Sequence, residues 1–259
     1  METLNKLPSV KSQYEDAAYS RYVQSRANAS LYNEYIDYSF FQEMNGVIES
    51  RKADDGSIAV LDLGCGNAVL GRKLLKLNLS AELHVTGIDQ STSMLKEASR
   101  LCQEDGLSSQ LTLIEGSVTR LPQSLAAASF DVVMSGFVIV HMETETMLQD
   151  FFVQVAKSLK SGGRTLHINP VVIAEEEVTP PEGSAHLAQL PILHDETGQV
   201  EHTIELYDHF WSTKTMIAAA RAAGLVDVSI TTAKIDPKSS TWTEETLPVT
   251  AILLSARKP

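Results

Sequence analysis

The chain of 259 residues has only two cysteines, Cys65 and Cys102. Two are too few for a disulfide framework, and they point to a reducing compartment. There is no run of about 18 apolar residues, which argues against a helical membrane span. The first residues, METLNKLPSVKSQYEDAAY, lack the apolar centre of a secretory signal. These absences predict a cytoplasmic protein. Basic residues are scarce: 21 Lys and Arg stand against 33 Asp and Glu, a formal net charge of −12. With no Lys/Arg stripe either, the field opposes nucleic acid and suits a neutral or cationic small substrate. No His/Cys cluster has zinc-ligand spacing and no Asp/Glu run suggests catalytic Mg²⁺, so no metal site is predicted. There is no internal repeat from which to infer an oligomer or array.

What is present is an alternation of strands and helices. Residues 11–45 are polar, helix-compatible and tyrosine-rich, and RKADDGS (51–57) reads as a linker. From Ser57 the order is strand SIAVLDL, helix AVLGRKLLKLNL, strand AELHVTGID and helix STSMLKEASRLCQEDG, capped by Ser91 or Ser93 and stopped by Gly106. Strands SQLTLIEG and SFDVVMSGFVIV, helix METETMLQDFFVQVAKSLKSGG and strand RTLHINPVVI follow. Residues 174–204 read as less regular, with a turn at DETGQ (195–199). Helix STKTMIAAARAAG then precedes two strands, LVDVSITTAKI and VTAILLSARK, joined by a polar loop without a crossover helix. Such a loop suits antiparallel neighbours. The prediction is an α/β, Rossmann-like, doubly wound mixed sheet of seven strands with an antiparallel edge. An N-terminal helical cap takes residues 1–56. The main domain takes 57–259, with a substrate-side insertion at about 171–211.

In such a sheet ligands gather at the C-terminal strand ends, so the first glycine-rich turn, VLDLGCGNAVLG (60–71), is the place to look. A dinucleotide fingerprint, G-x-G-x-x-G, would need a third glycine where Val69 stands; Gly64 and Gly66 fit, and Gly71 is two residues late. Asp62, two residues before Gly64, would repel a pyrophosphate and suit a ligand with a positive end. Both features favour a cationic nucleoside over NAD.

At these residues the chain resembles the class I S-adenosylmethionine-dependent methyltransferases. Their first motif is an acid followed by x-G-x-G-x-G. DLGCGNA matches at Asp62, Gly64 and Gly66, with Ala68 in place of the third glycine. In GIDQSTSML, Asp89 closes the second strand 23 residues after Gly66, about where an acid binds a ribose diol; the competing role is a helix cap. The resemblance continues through D-x-S-x-x-M-L-x-x-A at Asp89, Ser91, Met94 and Ala98. It implies that Gln90 lies beside the ribose site and that Met94 lies against adenine, core packing being the other reading. At LIEGSVTRLP the family's acid is replaced by Ser117, which keeps one hydrogen bond, and the Val118 amide could reach an adenine nitrogen. SFDVVMSGFVIVHM implies Ser135 and Gly136 beside the methionine moiety. LKSGGRTL resembles the turn before the fifth strand.

Tyr14, Ala18, Tyr22 and Arg26 recur every four residues and share a helical face. In similar small-molecule enzymes an N-terminal helix covers the cofactor, so Tyr22 and Arg26 are candidates for the methionine carboxylate, against an ordinary packing face. VEHTIELYDHFWSTKTM (200–216) resembles the lid of toxoflavin-type methyltransferases, with Phe210 and Trp211 as an apolar wall or as core. Methyl transfer needs alignment and desolvation above all, and an oxygen acceptor of high pKa also needs a base. His141, just past the fourth strand, is the first candidate for base or substrate contact, and His209 the second; each has a structural alternative. SGFV replaces the NPPY-like signature of enzymes that modify adenine or glutamine amino groups. The expectation is an S-adenosylmethionine-dependent enzyme methylating oxygen or nitrogen of a small molecule. A non-methylating S-adenosylmethionine-binding enzyme, a regulatory module and an NAD-dependent oxidoreductase stay open.

Overall fold

A computed structural model describes residues 35–50, 56–77, 79, 81–125, 129–171, 181–193, 200–238 and 250–259. A π-helical turn, Ile36–Phe40, runs directly into α1 (Phe41–Ser50). Phe40, Phe41, Met44, Val47 and Ile48 follow helical spacing, and all five are buried. The elements then alternate: β1 (Ser57–Leu63), α2 (Val69–Leu75), β2 (Glu82–Asp89), α3 (Thr92–Glu104), β3 (Leu111–Glu115) and β4 (Phe130–Gly136). A 3₁₀ turn, Ile139–His141, leads to α4 (Glu145–Ser158) and β5 (Leu159–Val171). After β6 (Ala185–Leu193) and β7 (Val200–His209) come α5 (Thr213–Ala222), β8 (Val226–Thr232) and β9 (Thr250–Arg257). Three helices start on a hydroxyl that accepts a backbone amide two or three residues on: Ser91 for α3, Thr144 for α4 and Ser212 for α5.

Seven strands form the expected mixed sheet, in the order β3-β2-β1-β4-β5-β9-β8. The pairs from β3 through β5 are parallel, and β9 runs antiparallel to both β5 and β8. The order reverses between β1 and β4, so their C-terminal ends open the crevice where ligands bind in such sheets. Successive residues feed opposite faces. Val60 and Met134 join a core with α1, α2 and α3, whereas Leu61 and Val133 join a core with α4 and α5. Residues 35–50 therefore share a core with β1. Residues 1–34, including the tyrosine-rich repeat, lie outside the described residues.

One expectation is corrected. Residues 174–204 are not simply irregular: β6 and β7 pair antiparallel as a separate two-stranded sheet, Ala185 opposite His209 and His186 opposite Asp208. The turn expected at 195–199 lies outside the described residues. Two features hid β6. Pro191 interrupts AHLAQLPIL, and a proline normally demotes a strand. A ribbon of two strands also lacks the long apolar run of a central strand. No described helix is long and apolar enough to cross a membrane.

Candidate active site

The glycine turn is held open by geometry that only small residues satisfy. Gly64 has φ +67° and Gly66 φ +53°, the left-handed region that favours glycine. A Cβ on Gly64 would lie 2.5 Å from Val138 Cγ2. Ala68 also adopts φ 61°, fully buried as the residue before α2, so the replaced third glycine keeps a glycine conformation. The amides of Gly64 and Cys65 both donate to the Ile88 carbonyl, at 2.8 and 3.0 Å, tying the turn to the end of β2.

Asp89 locks the same corner. One carboxylate oxygen accepts from the Gly66 amide and the other from the Ser91 amide, each at 2.8 Å. It therefore braces the turn against the start of α3, while Ser91 itself is the cap of that helix.

Gly64, Gly66, Asp89, Gln90, Met94, Ser117, Val118 and His141 line one cavity of about 330 Å³, within the usual range for small-molecule sites. Its lining includes the acids Asp89 and Glu143 and neither lysine nor arginine. The Met94 methyl lies 3.1 Å from where a Gly66 Cβ would stand. The Ser117 hydroxyl is 3.0 Å from that of Thr119 and accepts the Thr119 amide, which shapes this stretch into a turn.

Three sequence candidates lie elsewhere, and two fall outside the described residues. Asp62 is 1% exposed and does not line the cavity. Burial pushes its carboxyl up to about 8; the Gly71 amide offsets part of this and the charge of Asp89 adds to it. Burial thus disfavours the negative charge expected at Asp62, and Asp89 is the carboxylate that lines the cavity. Ser135 is fully buried, its hydroxyl 2.7 Å from His167 Nδ1. The Thr165 hydroxyl donates to the Val133 carbonyl, so its oxygen accepts from His167 Nε2 at 2.6 Å, and Nδ1 accepts from Ser135. Burial pushes His167 down to about 3, so this is a neutral core network. Ser135 serves that network, while its neighbour Gly136 borders the cavity. His209 lines a second cavity of about 230 Å³ with Phe210, Trp211 and Asn169. Tyr22 and Arg26 lie outside the described residues.

The two histidines thus line different cavities, His141 as the last residue of the Ile139–His141 turn and His209 at the end of β7. Burial, then the nearby His209, pushes His141 down to about 4. Burial lowers His209 too, opposed by the charge of Glu143 and the Val140 backbone. Both rings are neutral at pH 7, as a proton acceptor must be. Two residues position this turn: Asn169, which the sequence reading passed over, and Trp211, expected as an apolar wall or as core. Asn169 Oδ1 accepts the Ile139 amide at 3.0 Å, and Trp211 Nε1 donates to the Met142 carbonyl at 2.9 Å. The only local signal was the position of Asn169 near the end of a strand on the sheet's functional edge. Burial pushes the Cys65 thiol well above its ordinary value, which leaves it inert. Among the described residues no cluster of His, Cys, Asp or Glu could hold a metal.

Comparison with known proteins agrees with this geometry. Residues 60–163 match a family described as "Methyltransferase domain". The sterol 24-C-methyltransferase ERG6A of Gibberella zeae is 30% identical over 104 residues, 40% of this chain and 25% of that protein. The erythromycin 3''-O-methyltransferase of Saccharopolyspora erythraea is 27% identical over 194 residues, 73% of this chain and 58% of that one. The chain thus matches a quarter to somewhat over half of the length of these relatives. In fold it is similar to an S-adenosylmethionine-dependent methyltransferase from Clostridium acetobutylicum, with TM-score 0.59, 16% identity, and 93% of this chain and 97% of that one covered. Residues 60–163 thus match a methyltransferase domain, set in a fold that S-adenosylmethionine-dependent methyltransferases share.

Proposed function

We propose that this protein transfers a methyl group from S-adenosylmethionine to oxygen or nitrogen of a small organic molecule. The observation that carries the proposal is that one acidic cavity gathers Gly64, Gly66, Asp89 and His141. Bound S-adenosylmethionine supplies an electrophilic methyl group on a sulfonium. The remaining work falls to the protein. Asp89, at the end of β2 on the cavity wall, is placed to accept the ribose hydroxyls. The left-handed glycines keep side chains out of the cavity, and Met94 and Val118 offer apolar surface to the adenine. His141, neutral and on the cavity wall, takes the proton of an acceptor hydroxyl as its oxygen forms the new bond. A small acceptor fits the cavity size and the net charge of −12, and the names of the sterol and erythromycin relatives are of the same kind.

Calorimetric titration with S-adenosylhomocysteine, with NADH in parallel, tests the cofactor. Micromolar binding of the first and none of the second is expected. Asp89→Ala should weaken binding by roughly 1.5–3 kcal/mol, the range for charge-assisted hydrogen bonds. Binding of NADH alone would overturn the proposal, and unchanged affinity in the variant would remove Asp89 from the ribose.

A further inference from the structure

The β6–β7 hairpin packs through β7 on the Ile139–His141 turn. We infer that Asp208, carried by this hairpin, is a positioning residue for His141: its carboxylate holds the proton on Nδ1 and leaves Nε2 as the basic nitrogen. The inference rests on the reading of His141 as the base.

The geometry comes from two elements far apart in sequence. Asp208 Oδ1 lies 3.5 Å from His141 Nδ1, with the side chains 21% and 13% exposed. At that distance between two largely buried groups, a small adjustment makes a hydrogen bond. The Tyr207 backbone, adjacent on β7, also hydrogen-bonds this ring. A carboxylate that faces Nδ1 favours a proton on that nitrogen. The other groups around the ring are His209, at the end of β7, and Glu143, just past the turn; His186 stands opposite Asp208 in the hairpin register. Burial raises Asp208 to about 6, so it is ionised at pH 7 and above, where His141 is neutral.

The placement is braced rather than loose. The Gly183 amide donates to the Phe210 carbonyl at 2.8 Å, and the Phe210 amide to the Ser184 carbonyl at 3.0 Å, closing the base of the hairpin. The Trp211 indole then ties that base to Met142, next to His141. A histidine held by a carboxylate keeps one tautomer, and replacing that carboxylate by an amide inverts it.

The test is a long-range proton–nitrogen NMR spectrum of ¹⁵N-histidine-labelled protein at pH 7.5, saturated with S-adenosylhomocysteine. His141 is assigned by the signal lost in His141→Gln. The expected wild-type signal is a neutral ring protonated on Nδ1. In Asp208→Asn the ratio of the two tautomers shifts towards Nε2–H by roughly tenfold or more, and Asp208→Glu restores the wild-type form. Affinity for S-adenosylhomocysteine stays within about twofold in all three proteins, because Asp208 does not line the cofactor cavity. A wild-type ring protonated on Nε2, or a tautomer indifferent to Asp208→Asn, overturns the inference. If S-adenosylhomocysteine binds none of the proteins, the methyltransferase reading fails instead, and the spectra without it still decide the role of Asp208.

Discussion

The two halves of the crevice are built differently. On the β1–β2–β3 side, the polar contacts described above join residues at most 24 apart, each within one strand-end turn or between two successive ones. Gly66 and Asp89 are 23 residues apart, Asp89 and Ser91 two, and Ser117 and Thr119 two. On the β4–β5–β7 side, Ile139 meets Asn169 across 30 residues and Met142 meets Trp211 across 69. The first half is a set of strand-end turns that each work alone once the parallel sheet is in place. The second half exists only after β7 has docked on the turn that follows β4. A cofactor shared by a whole class can be held by local motifs. An acceptor particular to one enzyme is met by surfaces that long-range packing assembles.

Changes on the two sides should therefore fail differently. The largest effect is expected from Gly64→Ala, on the local side. Its Cβ would meet Val138 at 2.5 Å in a left-handed conformation. Steric overlap and backbone strain together should cost about 2–4 kcal/mol and abolish binding of S-adenosylhomocysteine, read by thermal unfolding and calorimetry. Wild-type affinity in a folded Gly64→Ala protein would show that the turn is not the cofactor's cradle.

Asp62→Asn sharpens the same side through pH. The folded carboxyl sits at about 8 against an ordinary 3.8. Its folded value is the higher one, so its contribution is full below pH 3.8 and is lost as the pH rises through about 8. Across that interval the wild type should lose up to about 1.4 kcal/mol per pH unit from this group. The variant should not, so the difference in chemical-denaturation stability should widen with pH and level off above 8. Parallel pH curves would contradict the burial of a protonated Asp62.

The smallest effect belongs to the long-range side. Trp211→Phe removes the indole bond to the Met142 carbonyl and should lower stability by about 1 kcal/mol. Affinity for S-adenosylhomocysteine should be unchanged. A loss of cofactor affinity as large as that of Gly64→Ala would erase the distinction between the two halves.

The same division explains what could be read in advance. Gly64, Gly66, Asp89, Gln90, Met94, Ser117 and Val118 were legible because a strand, a turn and a helix cap place a residue at the sheet edge by local rules alone. Asp62 and Ser135 lie in the right motifs, yet their side chains turn beneath the surface, where burial holds one protonated and bonds the other to His167. Motif position cannot reveal that, because the depth of a side chain depends on what packs over it. β6 and β7 escaped because a two-stranded ribbon containing Pro191 carries neither a long apolar run nor clean alternation.

By itself, the sequence determined the alternating order of strands and helices, hence the doubly wound sheet, and the glycine turn facing an acid at the next strand end. Backbone conformation and helix starts depend on neighbouring residues, so these features needed nothing more. Only the tertiary structure decided which carboxyl is buried, that His141 and His209 line different cavities, and that Asp208 faces His141. Desolvation and contact between elements are properties of the packed chain, and they come into being only when distant segments exclude water from the same space.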